Sequence, residues 1–306
     1  MTRFVMPATV ALLCLPGCLV ESVCYHDADC GPGRVCAIET GASWGACRAA
    51  CRNDQDCQGD LLCDPATGRC VEPECRADGD CPEGFVCTDG RCVSEQPLQC
   101  PEDMVAVENR FCIDIHEASR PDATATHPGT DGSRAVSRAG VMPWAVPNNA
   151  TAQTACEAAG KTLCTEQQWF TACRGPDGTV YGYGDEYDAA ICNGIDKYCY
   201  CGPGSDCEDR DPCPFAHCYH SCGASFRLDP TGSNQGCTNG YGVFDMNGNL
   251  WEHVLGGDES RIRGGAFNCS DSVTLHRCDY IPGTWRPSAR GFRCCGAGIQ
   301  DGGEGS

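Results

Sequence analysis

The amino-acid sequence predicts an α+β domain with little regular secondary structure, preceded by small disulfide-rich repeats. Cysteine accounts for 31 of the 306 residues, a density that is typical of disulfide scaffolds. A spacing of four cysteines recurs three times between residues 24 and 92, which marks a row of small repeated modules. Beyond this region the signals are short strands and many glycines, and helical signals are confined to residues 151–173.

Composition and charge indicate an exported protein that does not bind nucleic acid. So many cysteines would stay reduced and reactive in the cytosol, so we expect an oxidising compartment. The formal net charge is −20 and the sequence pI is about 4.6. The chain has no basic stripe, which argues against a nucleic-acid partner. An acidic surface keeps an exported protein soluble and attracts divalent cations.

Residues 1–17 have the pattern of an export signal. Arg3 precedes an apolar run at residues 4–15, which is too short to span a bilayer as a helix. The sequence Leu-Pro-Gly-Cys that ends at Cys18 resembles a bacterial lipobox, and this resemblance implies cleavage before Cys18 and lipidation of its thiol. Residues 18–23 would then link an outer-membrane or cell-surface lipoprotein to its anchor, its only contact with the membrane. The alternative is ordinary cleavage, which would give a periplasmic or secreted protein.

Residues 24–96 contain three cysteine-rich repeats. Each repeat is too short to bury a useful core, so disulfides must hold it together. Four cysteines permit two internal bridges per repeat, although the connectivity cannot be read from sequence. A zinc ribbon would need close Cys-x-x-Cys pairs, which do not occur here. We interpret the region as a stalk or binding module. The repeated cysteines are Cys24, Cys30, Cys36 and Cys47; Cys51, Cys57, Cys63 and Cys70; and Cys75, Cys81, Cys87 and Cys92.

A second domain is predicted over residues 97–299. The alternation of apolar and polar residues at 100–115 favours two strands around a turn. Cys100 and Cys112 sit at the two ends of this hairpin, so a disulfide between them is plausible. Residues 117–147 are rich in threonine, proline and serine and are predicted to form a loop.

Residues 151–173 carry two helix signals. Thr151 is predicted to cap a first helix that Gly160 ends. Thr165 and Gln168 have the spacing of a capping box and predict the start of a second helix that reaches Cys173.

Residues 192–237 form a loop-rich insertion with eight cysteines. His217 and His220 lie among them and would permit a metal knuckle, but in an oxidising compartment these thiols are more often paired. Residues 300–306 are predicted to be an acidic flexible tail.

The stretch from Gly240 to Glu252 reads Gly-Tyr-Gly-Val-Phe-Asp-Met-Asn-Gly-Asn-Leu-Trp-Glu. Oxygen ligands around a glycine-permitted bend suit a hard cation such as calcium. The alternative is an Asx-rich turn whose polar groups are satisfied by its own hydrogen bonds. This stretch closely resembles the Gly-Leu-Tyr-Asp-Met-x-Gly-Asn-Val-Trp-Glu-Trp signature of the formylglycine-generating enzyme (sulfatase-modifying factor) family. Further matches occur in the family's order, at residues 159–169, 263–269 and 290–294.

The resemblance implies a C-type-lectin-like α+β fold with bound calcium. By the family pattern, Asp245 and Glu252 provide side-chain oxygens to the ion, and Gly248 and Leu250 provide backbone carbonyls. The pattern also implies a disulfide between Cys173 and Cys294, with the adjacent Cys295 as the rival partner.

Active members of this family hold copper(I) between two thiolates and use oxygen to convert a substrate cysteine to formylglycine. Cys269 occupies the position of the first thiolate, with Trp251 as a further catalytic candidate, but Thr274 stands at the second position. A threonine hydroxyl is a hard, neutral ligand that does not replace a thiolate on copper(I). Ala266 and Ser270 also depart from the serine and histidine of active members.

The sequence therefore favours a non-catalytic binding or structural role, with an unknown extracellular protein or peptide as partner. The alternative is a copper-dependent oxidase in which Cys269 is catalytic. The chain has 17 cysteines from Cys100 onward, so at least one cannot pair within the domain. Cys269 is a candidate for this free thiol, and its pairing with Cys278 or another neighbour is the alternative.

Overall fold

The computed structural model describes residues 23–24, 30, 34–37, 45–199, 201–205, 207–208, 227–256, 261–282 and 288–298. The predicted signal peptide, the lipidation site at Cys18 and the acidic tail lie outside these residues. The chain divides into two compact units, residues 1–50 and residues 51–306. Among the described residues, no helix has the length and apolar character needed to cross a bilayer.

Each cysteine-rich repeat is held by two disulfides in the same alternating order. The first cysteine bonds to the third and the second bonds to the fourth, which confirms two internal bridges per repeat. The third and fourth cysteines face each other across a β-hairpin in every repeat. The strands are β1 (Val23–Cys24), β2 (Arg34–Ala37), β3 (Gly45–Ala49), β4 (Leu62–Asp64), β5 (Arg69–Val71), β6 (Phe85–Thr88) and β7 (Arg91–Ser94).

The aspartates that recur in the second and third repeats satisfy backbone donors. Short 3-10 turns at Asp54–Asp56 and Asp78–Asp80 precede the hairpins. Asp54 accepts a hydrogen bond from the backbone N–H of Cys63 at 2.8 Å, and Asp78 accepts the equivalent bond from Cys87 at 2.9 Å. These bonds tie each turn to its hairpin. They help to stabilise modules that are too short to bury a hydrophobic core.

The main sheet of the second unit has four antiparallel strands in the order β12-β16-β9-β8. The predicted hairpin is confirmed, since β8 and β9 pair around a turn in which Glu108 and Asn109 have positive φ. Cys100 and Cys112 are joined by a disulfide, with their Cα atoms 5.7 Å apart. The strands are β8 (Met104–Val107), β9 (Phe111–Asp114), β12 (Thr162–Leu163) and β16 (Cys294–Gly296).

The remaining strands of this domain form two smaller sheets. Parallel pairing joins β13 to β15, and antiparallel pairing joins β13 to β14. The segment predicted to be loop contains one short antiparallel pair, β10 with β11. The bounds are β10 (Ala118–Ser119), β11 (Val136–Ser137), β13 (Trp251–His253), β14 (Ile262–Arg263) and β15 (Arg290–Phe292).

The helices begin at polar caps. Thr165 caps the second helix and forms the predicted capping box with Gln168. The predicted cap at Thr151 is wrong, because the helix starts two residues earlier and the Asn148 side chain accepts a hydrogen bond from the Thr151 N–H. The helices are α1 (Asn149–Glu157), α2 (Glu166–Arg174) and α3 (Ser272–Leu275).

The predicted disulfide between Cys173 and Cys294 is wrong. Cys294 bonds to Cys156 of α1, and the neighbouring Cys295 bonds to Cys164. Adjacent strand residues point to opposite faces of the sheet, so these two cysteines enter different hydrophobic clusters. Cys173 bonds instead to a cysteine just beyond α3, Cys278, with a Cα–Cα distance of 5.7 Å.

Candidate functional site

The segment from Asp245 to Glu252 forms a buried turn that leads into β13. Asp245 and Asn249 have φ values of 57° and 56°, which aspartate and asparagine tolerate better than most residues. Gly248 has a φ of 86°, and a Cβ there would lie 2.3 Å from the carbonyl oxygen of Asn193. Only glycine fits this position, which explains the bend in the signature.

Three buried carboxylates belong to this turn or bond to it. Glu252 accepts hydrogen bonds on both oxygens from Arg293, at 2.6 and 2.7 Å. Asp245 accepts one bond from the backbone N–H of Gly232 at 2.6 Å. Glu117 accepts one from the backbone N–H of Leu250 at 3.1 Å. The turn is therefore held from both sides by groups distant in sequence.

The acidic groups of this cluster outnumber the guanidinium of Arg293 beside them. Burial, together with the charges of Asp245 and Glu252, raises the pKa of Glu117 well above its ordinary value. Burial also raises the pKa of Asp245 to about 7, although the Gly232 N–H and Arg293 act in the opposite direction. Arg293 forms an ion pair with Glu252, and its positive charge also acts on Glu117 and Asp245. A further cation would favour the ionised forms of these carboxylates.

The predicted calcium ligands fit a cation. Gly248 and Leu250 are buried, and their carbonyl oxygens accept no hydrogen bond from any residue that the structure describes. Buried carbonyls almost always have a partner, so these two are suited to a ligand. A carboxylate has about four lone-pair sites, which leaves capacity on Asp245 and Glu252. Two carboxylates and two carbonyls are ligands that calcium prefers.

Cys269 lies in a separate pocket of buried side chains. Its thiol accepts a hydrogen bond from the backbone N–H of Ala266 at 3.0 Å, and Trp251 belongs to the same hydrophobic cluster. The structure thus brings the two predicted catalytic residues together. Burial raises the pKa of the Cys269 thiol to about 12, and the charges of Asp196 and Asp271 add to the effect. The thiol therefore stays protonated at neutral pH, which makes it a poor nucleophile and metal ligand.

Within the described part of the chain, Cys269 is the one cysteine outside a disulfide. Thr274, at the position of the second copper thiolate, lies on α3 with its side chain exposed. Cys278 is bonded to Cys173 and is not a free thiol. Of the two possibilities that the sequence left open for Cys269, the structure shows the unpaired thiol, and no second thiol among the described residues completes a copper site.

Sequence reasoning missed three residues that shape these two sites. Glu117 and Arg293 build the acidic cluster, and His276 places Nε2 3.1 Å from the Ala266 carbonyl beneath the Cys269 loop. Arg293 lies inside the closing motif and could have been singled out there. The other two resemble ordinary surface residues, because a glutamate after a strand and an isolated histidine are common on protein surfaces.

Comparison with known proteins identifies the domain. Residues 91–296 match the sulfatase-modifying factor enzyme 1-like domain. Comparison with curated proteins finds no match. Similar solved structures include the Major Tropism Determinant I1 variant, at 14% identity and a TM-score of 0.38, covering 67% of this chain and 56% of that one. The U1 variant of the same protein gives 14% identity and a TM-score of 0.37, covering 85% of this chain and 66% of that one.

The family match and the observed elements agree with the sequence-based prediction of the fold. The domain is α+β and C-type-lectin-like, with little regular secondary structure and disulfide-rich repeats before it. Because the match spans more than half of its residues, the chain belongs to the family of sulfatase-modifying factor enzyme 1-like domains.

Proposed function

We propose that this protein is an exported, non-catalytic member of its family with a binding or structural role, and that its partner is an extracellular protein or peptide. The observation that carries the proposal is that Cys269 is the one free thiol among the described residues. Copper(I) between thiolates needs two sulfurs, and Thr274 holds the second position with an exposed hydroxyl.

Copper(I) does not fit the Cys269 pocket as its described residues are arranged. The one sulfur there has a pKa raised to about 12 by burial, so it is a thiol at neutral pH rather than the thiolate that binds soft metals. The nearest cysteine in sequence, Cys278, is held in a disulfide. Cys213, Cys218 and Cys222 lie outside the described residues.

Calcium has a structural role in this proposal. Asp245 and Glu252 would hold it through their carboxylates, and Gly248 and Leu250 through their carbonyls. When bound, calcium supplies positive charge to a buried cluster in which Arg293 is the cation that pairs with Glu252. The turn would then be a fixed part of the fold and would not take part in chemistry.

Export is supported by the disulfides. Twelve disulfides join described cysteines in both compact units, and such bonds persist in oxidising compartments. We propose that Cys18 carries a lipid that anchors the protein at the outer membrane or cell surface. A periplasmic or secreted form without the anchor is the alternative.

The second candidate function is a copper-dependent oxidase that acts on a sulfatase cysteine. It is favoured by one observation, which is that Cys269 stays outside any disulfide beside Trp251. In this reading a further thiol would have to reach Cys269 when copper binds.

A thiol assay combined with a copper(I) titration tests the proposal. Wild-type protein and Cys269→Ser, both carrying Cys18→Ser, are titrated with copper(I) against a coloured competing chelator. We expect one additional thiol in denatured wild-type protein relative to the variant, and the same copper affinity for both. Tight binding of one copper ion that is lost in Cys269→Ser would contradict the proposal. A circular-dichroism spectrum establishes that the variant is folded.

A further inference from the structure

A cavity of about 800 Å³ opens between residues 183–191 and the α3 residue Val273. Two tyrosines, Tyr183 and Tyr187, and three acidic residues, Asp185, Glu186 and Asp188, contribute to its wall. We propose that this cavity binds an organic cation, namely a guanidinium or alkylammonium group. The inference does not depend on the proposed non-catalytic role, because neither Cys269 nor the calcium turn lines the cavity.

The tyrosine rings are held in fixed positions. Tyr181 stacks on Tyr183 with centroids 5.4 Å apart and ring planes 12° apart. One face of Tyr183 is thus covered by a neighbouring ring, and the ligand would take the other face. Tyr187 donates a hydrogen bond to Asp196 at 2.6 Å, which orients its ring. The face of an aromatic ring attracts cations, and rings that are already oriented lose little entropy on binding.

The charge of the cavity is uniformly negative. Asp185, Glu186 and Asp188 are exposed, and no lysine or arginine lines the wall. Asp185 and Asp188 each use one oxygen for a nearby backbone N–H, at 3.1 and 2.8 Å. Glu186 forms no hydrogen bond or ion pair with any described residue. Carboxylates and tyrosine rings therefore line the same cavity.

This combination favours an organic cation over a metal ion. A guanidinium can stack on a ring while it donates two hydrogen bonds to a carboxylate. Metal ions need several oxygens close together. Among the described residues, these three carboxylates do not form a group whose ligand atoms all lie within 4.8 Å of one another. A larger cation can bridge such separated groups, whereas calcium cannot.

Calorimetric titration of the full chain tests the proposal with four probes. Arginine amide and choline represent a peptide side chain and a small quaternary ammonium ion. Citrulline amide has nearly the shape of arginine amide but no charge, and calcium chloride tests a metal site. We expect at least one organic cation to bind and citrulline amide not to bind. Tighter binding of arginine amide would identify a peptide as the source of the cation, and tighter binding of choline would identify a small molecule.

Variants locate the binding in the cavity. Glu186→Gln should weaken binding roughly threefold, in line with an exposed ion pair, and Tyr183→Leu roughly tenfold through loss of the ring. Tyr183→Phe keeps the ring and should keep the affinity. Glu102→Gln removes an exposed carboxylate elsewhere and should change nothing. Binding of neither cation, equal binding of citrulline amide, competition by calcium, or an unchanged affinity in Glu186→Gln would each overturn the proposal.

Discussion

The backbone carbonyl of Ala66 accepts a hydrogen bond from Nη2 of Arg263 at 2.8 Å. Arg263 is fully buried and also pairs with the buried carboxylate of Glu166. Ala66 is 2% exposed and lies in the same hydrophobic cluster as Trp169. The second cysteine-rich repeat therefore packs into the core of the domain and supplies one of three acceptors to a buried guanidinium, beside Glu166 and the Tyr280 carbonyl.

The third repeat also contacts the domain. Glu74 forms an ion pair with Arg110 at 2.6 Å, and the Asn109 side chain donates to the carbonyl of Ser94 at 2.6 Å. These two repeats belong to the same compact unit as the residues that follow them. The second and third repeats therefore do not form a stalk that stands apart from the domain.

Ala66→Asp should destabilise the domain and not only the repeat. The new carboxylate would enter a hydrophobic cluster without a partner, at a cost of about 3 kcal/mol or more. Unfolding in urea, followed by tryptophan fluorescence, should show a lower midpoint. Ala125→Asp, at an exposed loop position, is the control and should leave the midpoint unchanged. Equal midpoints for both variants would mean that the repeat does not contribute to the core.

Chelation of calcium should lower the melting temperature. A ligand present at a hundredfold excess over its Kd stabilises a fold by about 2.7 kcal/mol. Asp245→Ala should lose its sensitivity to the chelator because a ligand is missing. Glu102→Ala, which removes an exposed carboxylate, should keep the wild-type response. If a chelator leaves the wild-type melting curve unchanged, the assignment of a calcium site is wrong.

Sequence alone predicted those elements that are determined by residues close together in the chain. The capping box of α2 depends on Thr165 and Gln168, and the first hairpin depends on alternation between residues 100 and 115, so both could be read from neighbouring residues. Two disulfides in each repeat followed from a four-cysteine spacing that recurs three times, whereas their alternating order did not. An odd count of cysteines and a family motif made Cys269 a candidate free thiol and left its pairing with a neighbour open.

Other features depend on contacts between distant segments. The partner of Cys294 is set by which face of β16 it occupies, and a shift of one residue exchanges it with Cys295. Glu117 reaches the Asp245–Glu252 turn across more than a hundred residues. Ala66 is a small apolar residue in a polar repeat, and no local pattern marks it as part of another domain's core. These relationships appear only when the chain is folded.

Native protein should protect Cys269 from alkylation. Its pKa, raised to about 12 by burial, keeps the thiolate scarce at pH 8, and the side chain is 1% exposed. Trypsin cleavage after Arg263 and Arg277 releases a peptide in which Cys269 is the sole cysteine. Mass spectrometry should find this peptide unmodified after iodoacetamide treatment of native protein. After treatment in denaturant without reductant, it should be modified. Rapid labelling in the native state would show a reactive thiol.

Acidification should destabilise the domain through His253. Burial, with help from the charge of Arg290, lowers the pKa of this histidine to about 4. The unfolded chain takes up the proton near pH 6.5 and the folded chain does not, so stability is lost as pH falls from about 6.5 to about 4. The loss attributable to this group is on the order of 3 kcal/mol.

The His253 contribution can be isolated by comparing pH profiles of the free energy of unfolding. His253→Gln should fall less steeply than wild type between pH 6.5 and pH 4. His127→Gln, at an exposed position, should follow the wild-type profile. Parallel profiles for all three proteins would contradict the assignment of the effect to His253.

An activity measurement shows directly whether the domain is an enzyme. A peptide with the sequence pattern Cys-x-Pro-x-Arg is incubated with the purified chain, oxygen and copper, and its mass is followed. Because Cys269 is the one free thiol in the described part of the chain, we expect no conversion of the peptide cysteine to the aldehyde of formylglycine. Oxygen-dependent appearance of that aldehyde, and its disappearance in Cys269→Ser, would show that the domain is catalytic and would contradict the proposed non-catalytic role.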